Sequence, residues 1–177
     1  MQSIMLDIET LSTKTNATIL SIAAIKFNEL TNVNEANNET FQVLVDLDSQ
    51  PDRDITDSTV TWWAQQDPAV QALVFAEEGR LTLTDALLAL SKFACHSNRI
   101  WVQGPAFDIP ILEHAYQQCQ LPPPWQYWQV RDSRTLLDLV EISLPSPNHN
   151  ALEDCSRQIK GVKLALKQLD IKKFVRQ

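Results

Sequence analysis

Four carboxylates and one imidazole stand out by type and spacing: Asp7 and Glu9 two residues apart, Asp108 in Gln-Gly-Pro-Ala-Phe-Asp, and His149 with Asp154 in His-Asn-Ala-Leu-Glu-Asp. Residues i and i+2 of a strand point to one face, so Asp7 and Glu9 can share a cation. An Asp-x-Glu triplet is common, and a solvated strand end accounts for one met alone. Asp108 follows Gly104 and Pro105, which turn the chain ahead of a helix. An acid in a first helical turn also simply complements the helix dipole. On one continuous helix His149 and Asp154 would point about 140° apart. With Asn150 as the N-cap, His149 belongs to the preceding loop instead and is free to swing as a general base. Asp154 is then held rigidly in the first turns, as suits a metal ligand. A surface histidine beside a Pro-Ser-Pro loop, with an ordinary helix-start acid, is the plainer account of that pair taken by itself.

The conjunction points further. Four acids in one pocket repel, at about 4 kcal/mol for two unit charges about 4 Å apart in an effective dielectric near 20. Divalent cations remove that cost, and hard oxygen ligands favour Mg²⁺ or Mn²⁺ over zinc. Two such ions about 3.5 to 4 Å apart suit phosphodiester hydrolysis, because they activate water and stabilise both the attacking and the leaving oxygen. His149 would accept the proton of the attacking water.

These residues need a scaffold that brings distant segments together. Apolar runs at 3–7, 18–27 and 41–45 read as strands, and the polar segment 28–39 as a solvated hairpin connection, so the chain begins as an antiparallel sheet. Thr10 and Leu11 do not visibly continue the first strand, which places Asp7 and Glu9 at a strand-to-loop edge. Helical spacing then takes over. Two short helices are expected around Val60 to Trp63 and over 68–75, and a longer one over 84–95, with Ala86, Leu87, Leu90 and Phe93 as its core face. Residues 100–102 read as a buried parallel strand. Helices follow over 107–119 and 133–142, ended by Pro122–Pro124 and by Pro145 and Pro147. The last helix begins after Asn150, where Asn150 and Glu153 form a capping-box pair and Leu152, Cys155, Ile159, Val162 and Leu166 recur at helical intervals. Strands first and alternation later predict one α/β domain over 1–177, with a mixed sheet flanked by helices.

Composition narrows the alternatives. With 177 residues, 44% of them hydrophobic, the chain can bury a sizeable core. Fifteen Lys plus Arg against 22 Asp plus Glu leave a charge of −7, which excludes a basic coat that grips duplex DNA by charge alone. Three glycines cannot form a dinucleotide fingerprint or a phosphate-cradling loop. No run is long and apolar enough to cross a membrane, and no basic-then-apolar leader is present, so a cytoplasmic protein without a membrane partner is expected. Cys95, Cys119 and Cys155 lack paired spacing and read as reduced packing residues.

The ordered motifs Asp7-Ile-Glu9-Thr10, Phe107-Asp108 and His149-x-Ala151-x-x-Asp154 resemble those of the DEDDh 3′-to-5′ exonucleases. Within that superfamily, the opening Leu-Asp-Ile-Glu-Thr-Leu-Ser-Thr with Ile19–Ile22, Thr61-Trp62-Trp63 with Gln65, and Arg131-Asp-x-Arg-Thr135 look most similar to the small group of a mycobacterial exoribonuclease and phage exonuclease A. The resemblance spans nearly the whole chain. It implies an RNase H-like fold, a five-stranded mixed sheet whose first three strands are antiparallel, with helices on both faces. It also implies two Mg²⁺ or Mn²⁺ ions: Asp7, Glu9 and Asp154 hold one, Asp7 bridges to the second, Asp108 holds that one partly through water, and His149 is the base. The expected partner is a single-stranded 3′ end of RNA or DNA, and related small exonucleases often form homodimers. Two rival readings are a binding or proofreading-type subunit without turnover and a phosphodiesterase restricted to short oligonucleotides.

By the same resemblance, Thr10 and Leu11 sit where related enzymes hold the terminal nucleotide, with backbone groups reaching the 3′ hydroxyl and an apolar residue wedged beside the base. Phe107 either stacks on a base or anchors its helix in the core. Trp62 and Trp63 point about 100° apart on a helix, so one packs while the other can line a groove; Trp63 is the better core candidate. Arg131 and Arg134 suit phosphate oxygens, although Arg134 could instead pair with Asp138 on its own helix. Trp101, Trp125 and Trp128 are assigned to packing.

Overall fold

The structure, a computed structural model, describes residues 2–31 and 38–174. Its centre is strand β1, Ser3–Thr10, which is buried almost throughout, as a strand covered on both faces must be. β1 pairs antiparallel with β2, Ile19–Phe27, which pairs antiparallel with β3, Thr40–Leu44. On its other side β1 runs parallel to β4, Arg99–Val102, and β4 parallel to β5, Val130–Asp132. The order is β3-β2-β1-β4-β5, a five-stranded mixed sheet.

The alternation of side chains along β1 assigns its two faces. Ile4, Leu6 and Ile8 meet the apolar stripes of α3, Leu83–Ala94, and α4, Pro105–Gln118. Met5 faces α6, Ala151–Gln168, through Cys155, Ile159 and Val162. Two short helices, α1 (Asp57–Trp63) and α2 (Pro68–Val74), close one end of the sheet, where Leu11, Leu20, Trp63, Val70 and Val74 form a small separate core. Among the described residues, no helix is long and apolar enough to cross a membrane.

Several sequence expectations change. β1 does not stop at Asp7: Glu9 and Thr10 remain paired and buried, although the register with β2 shifts between Glu9 and Thr10. Their polarity imitates a strand end because this buried edge is used for something other than packing. β5 has no apolar run of its own; three half-buried residues are recruited to the sheet edge by pairing with β4. The expected helix over 133–142 is the short α5, Ser133–Leu137. α4 starts at Pro105, where a proline without an N–H suits the first turn, behind Gly104 at φ 104°. Cys95 is exposed and is not a packing residue, and Trp128 lies 58% exposed while Trp101 and Trp125 are buried. Part of the expected hairpin connection, 32–37, lies outside the described residues.

Candidate active site

Because β1 and β4 run parallel, the end of β1 and the loop after β4 open on the same edge of the sheet, the usual place for a site in an α/β fold. A cavity of about 460 Å³ lies there. Asp7, Glu9, Asp108, His149 and Asp154 all line it, contributed by β1, α4, the loop before α6 and α6 itself. Ligand atoms of Glu9, His149 and Asp154 lie within 4.8 Å of one another.

Three of the four carboxylates, those of Asp7, Asp108 and Asp154, are held by hydrogen bonds. The Ile8 N–H donates to Asp108 Oδ1 at 3.3 Å, tying α4 to β1. Gln158 Nε2 donates to Asp7 Oδ1 at 2.9 Å. Asp154 accepts from Arg157 Nε through Oδ1 at 2.9 Å and from the His149 N–H through Oδ2 at 3.0 Å. Arg157 in turn donates to Gln103 Oε1. Asn150 caps α6, its side chain accepting from the N–H groups of Leu152 and Glu153. The other half of the expected capping box is absent, since the Glu153 carboxylate meets the side-chain amides of Asn148 and Asn150 instead.

His149 is not free to swing. Its φ of 63° is left-handed, its N–H is bound by Asp154, and its ring meets the Trp62 ring edge-on at 4.6 Å. Trp63 is buried beneath and donates from Nε1 to the Thr10 carbonyl at 2.9 Å, pinning the end of β1. The adjacent tryptophans thus divide their work: Trp63 packs, and Trp62, 39% exposed, lines the cavity.

The electrostatics are those of a site built for cations. Burial is the main cause that raises the Glu9 carboxyl to about 10, reinforced by the charges of Asp7, Asp154 and Asp108. Burial likewise lifts Asp7 to about 7, against the hydrogen bond from Gln158, with Asp154 adding to the rise. Asp108 is also pushed well up, by burial and then by Asp7. Clustered buried oxygens that hold protons this firmly lack positive charge, and a set of carboxylate oxygens of this kind matches the donors taken by Mg²⁺ or Mn²⁺.

Not every expected contact assembles. Arg134 lines the cavity, and Gly104 makes room for it: a Cβ there would come within 2.8 Å of Arg134 Nη1. Its expected alternative, a pair with Asp138, does not form among the described residues. Arg131 does not line the cavity. Its Nη1 donates to the carbonyls of Trp128 and Val130 on its own segment. Leu11 is buried in the small core of α1 and α2 and offers no wedge to a base, whereas Thr10 borders the cavity. Phe107 packs against the core, as one of its two expected roles requires, and also borders the cavity. Sequence reading missed Arg157 and Gln158. Their signal was positional, at i+3 and i+4 from Asp154 on a helix whose neighbouring Cys155 and Ile159 are core.

Residues 2–166 match the family described as 3′-5′ exoribonuclease Rv2179c-like domain. An exodeoxyribonuclease of Enterobacteria phage T4 is 24% identical over 199 aligned residues, covering 92% of this chain and 88% of that protein. The nuclease domain of 3′hExo, a DEDDh family member bound to rAMP, superposes with a TM-score of 0.65 at 13% identity, over 99% of this chain and 96% of that one. The Mg²⁺- and Mn²⁺-bound form of S. pombe Pop2p gives 0.61 at 13% identity, over 98% and 86%.

Proposed function

This chain belongs to the 3′-5′ exoribonuclease Rv2179c-like domain family and is an exonuclease, a phosphodiester hydrolase; from that premise we propose that it removes nucleoside 5′-monophosphates one at a time from single-stranded 3′ ends. The observation that carries the reading is the approach of Glu9, His149 and Asp154 to within 4.8 Å of one another in a cavity that Asp7 and Asp108 also line.

In this reading Asp7, Glu9 and Asp154 would hold one divalent cation, and Asp7 with Asp108 would hold a second. Bound there, the ions supply Lewis-acid activation of water and charge neutralisation at the phosphodiester. His149 takes the proton of the attacking water on an imidazole nitrogen, with its ring plane kept by Trp62 and its main chain by Asp154. A bond forms between the water oxygen and phosphorus, and the bond from phosphorus to the 3′ oxygen of the preceding nucleotide breaks. That oxygen leaves with the bonding electron pair and takes a proton from solvent water to become the new 3′ hydroxyl. Arg134 meets a phosphate oxygen, Thr10 borders the terminal nucleotide, and Trp62 and Phe107 flank its base.

Both sugar types occur among the relatives' names, an exoribonuclease family and a phage exodeoxyribonuclease, so RNA and DNA are both proposed substrates. The test uses end-labelled RNA and DNA of matched sequence, with 3′ overhangs and several lengths, with and without Mn²⁺. Stepwise ladders that need the ion support the reading. Binding without turnover, or cleavage of dinucleotides alone, overturns it.

A further inference from the structure

Gln158 carries a feature that the proposed chemistry leaves unused. It lies on α6 four residues after Asp154, is 2% exposed, and borders the cavity beneath the carboxylates. Its Nε2 is spent on Asp7 Oδ1 at 2.9 Å. Its Oε1 is fully buried and has no hydrogen-bond partner among the described residues. Buried amide oxygens are nearly always satisfied, so an orphan at a polar cavity calls for a donor that binds there. With Asp7 ionised, as a cation ligand must be, turning the amide over would set its carbonyl oxygen against the Asp7 carboxylate, acceptor against acceptor, so the orientation follows from Asp7.

We infer that Gln158 is a positioning residue of the cation site: its N–H side fixes one oxygen of Asp7, and its carbonyl oxygen receives an O–H donor that enters as water with the divalent ion. The inference rests on the carboxylate reading above. Mg²⁺ and ions like it keep several waters when bound by few carboxylates, and those waters need acceptors. Asp7 would lose one defined orientation without the amide, and partners that orient metal ligands in this way typically set 10- to 100-fold in affinity.

The experiment measures Mn²⁺ binding to the full chain by electron paramagnetic resonance in the absence of nucleic acid, for wild type, Gln158→Met and Asp7→Asn. Gln158→Met keeps the length and apolar packing but removes both amide functions. It should bind Mn²⁺ about tenfold more weakly or worse, with an unfolding midpoint in EDTA no lower than wild type. A merely structural role would lower that midpoint and spare the affinity. Mn²⁺ affinity within about twofold of wild type, alongside its loss in Asp7→Asn, overturns the assignment of Gln158 and leaves the carboxylate site standing. Unchanged Mn²⁺ affinity with a raised KM for oligonucleotide overturns it too, because the orphan oxygen would then serve a ribose hydroxyl. Wild type that fails to bind Mn²⁺ brings down the carboxylate reading itself. Should Gln158→Met not fold, Gln158→Asn, whose amide is one methylene short, carries the same expected loss.

Discussion

The two ends of β1 each bury acid, in opposite ways. At the start of the strand, Glu29 is 2% exposed, and its Oε1 accepts from Ser3 Oγ, from Trp101 Nε1 at 3.2 Å and from Arg99 Nη1 at 3.4 Å. At its other end Asp7, Glu9 and Asp108 face one another, and burial with mutual repulsion raises all three. Donors surround the first acid, which closes an internal network. The second set is left short of positive charge by the protein itself. A buried carboxylate therefore says little until its partners are counted; one acid matched by several donors, a guanidinium among them, is architecture, and a cluster whose few donors leave it short of positive charge suits cations.

Substitution at each end should separate the two roles. Asp7→Asn is expected to lower kcat by on the order of 10³-fold or more while the unfolding midpoint is held or raised, as measured by oligonucleotide laddering and by calorimetry in EDTA. Glu29→Ala should do the reverse. With Ser3 and Trp101 left without their acceptor, it loses about 1–3 kcal/mol, or roughly 2–12 °C in Tm for a chain of this size, with kcat near wild type at a temperature where it is folded. Equal losses of activity from both variants would erase the distinction.

The pH dependence sharpens it. Asp7 and Glu9 have ordinary values near 3.8 and 4.5 and folded values of about 7 and about 10. Above the ordinary values the unfolded chain has released these protons while the native state retains them, so ν_U − ν_N is negative and stability falls as pH rises. Their contribution is full below about pH 4 and is lost as pH climbs through 7 and beyond. Calorimetry in EDTA should thus show Tm declining from pH 5 to 8, with Mn²⁺ restoring more of it at pH 8 than at pH 5. Glu9→Gln should flatten the decline. A metal-free protein that gains stability over this interval would contradict the charge-poor description of the site.

A smaller effect is expected at Arg134. Arg134→Ala should raise KM about tenfold with less change in kcat, and should reduce the salt slope by about one phosphate contact. Gly104→Ala should follow it, since the new methyl occupies the guanidinium's place and the backbone holds φ at 104°. Arg131→Ala should leave KM near wild type, because that side chain bonds its own segment.

The five acid and imidazole positions were legible because their signals are local: alternation for Asp7 and Glu9, a turn before Asp108, and a cap that separates His149 from Asp154. Asn150 does cap α6 as its spacing implied. β5 and the last residues of β1 were not legible, since pairing with neighbours far along the chain holds them and their own residue types argue otherwise. Arg131 and Arg134 looked alike in sequence and part only because β5 turns one toward its own carbonyls while Gly104 admits the other to the cavity.

What the sequence determined by itself was the kit: which side chains could bind a hard cation, where helices start, and which faces are apolar, all of them properties of a few consecutive residues. Tertiary structure decided the rest: that Glu9, His149 and Asp154 come within 4.8 Å, that Trp62 restrains the imidazole, and that Gln158 meets Asp7 across 151 positions. Those relations depend on how strands and helices stack, and no local propensity encodes the distance between residues brought together only by the core.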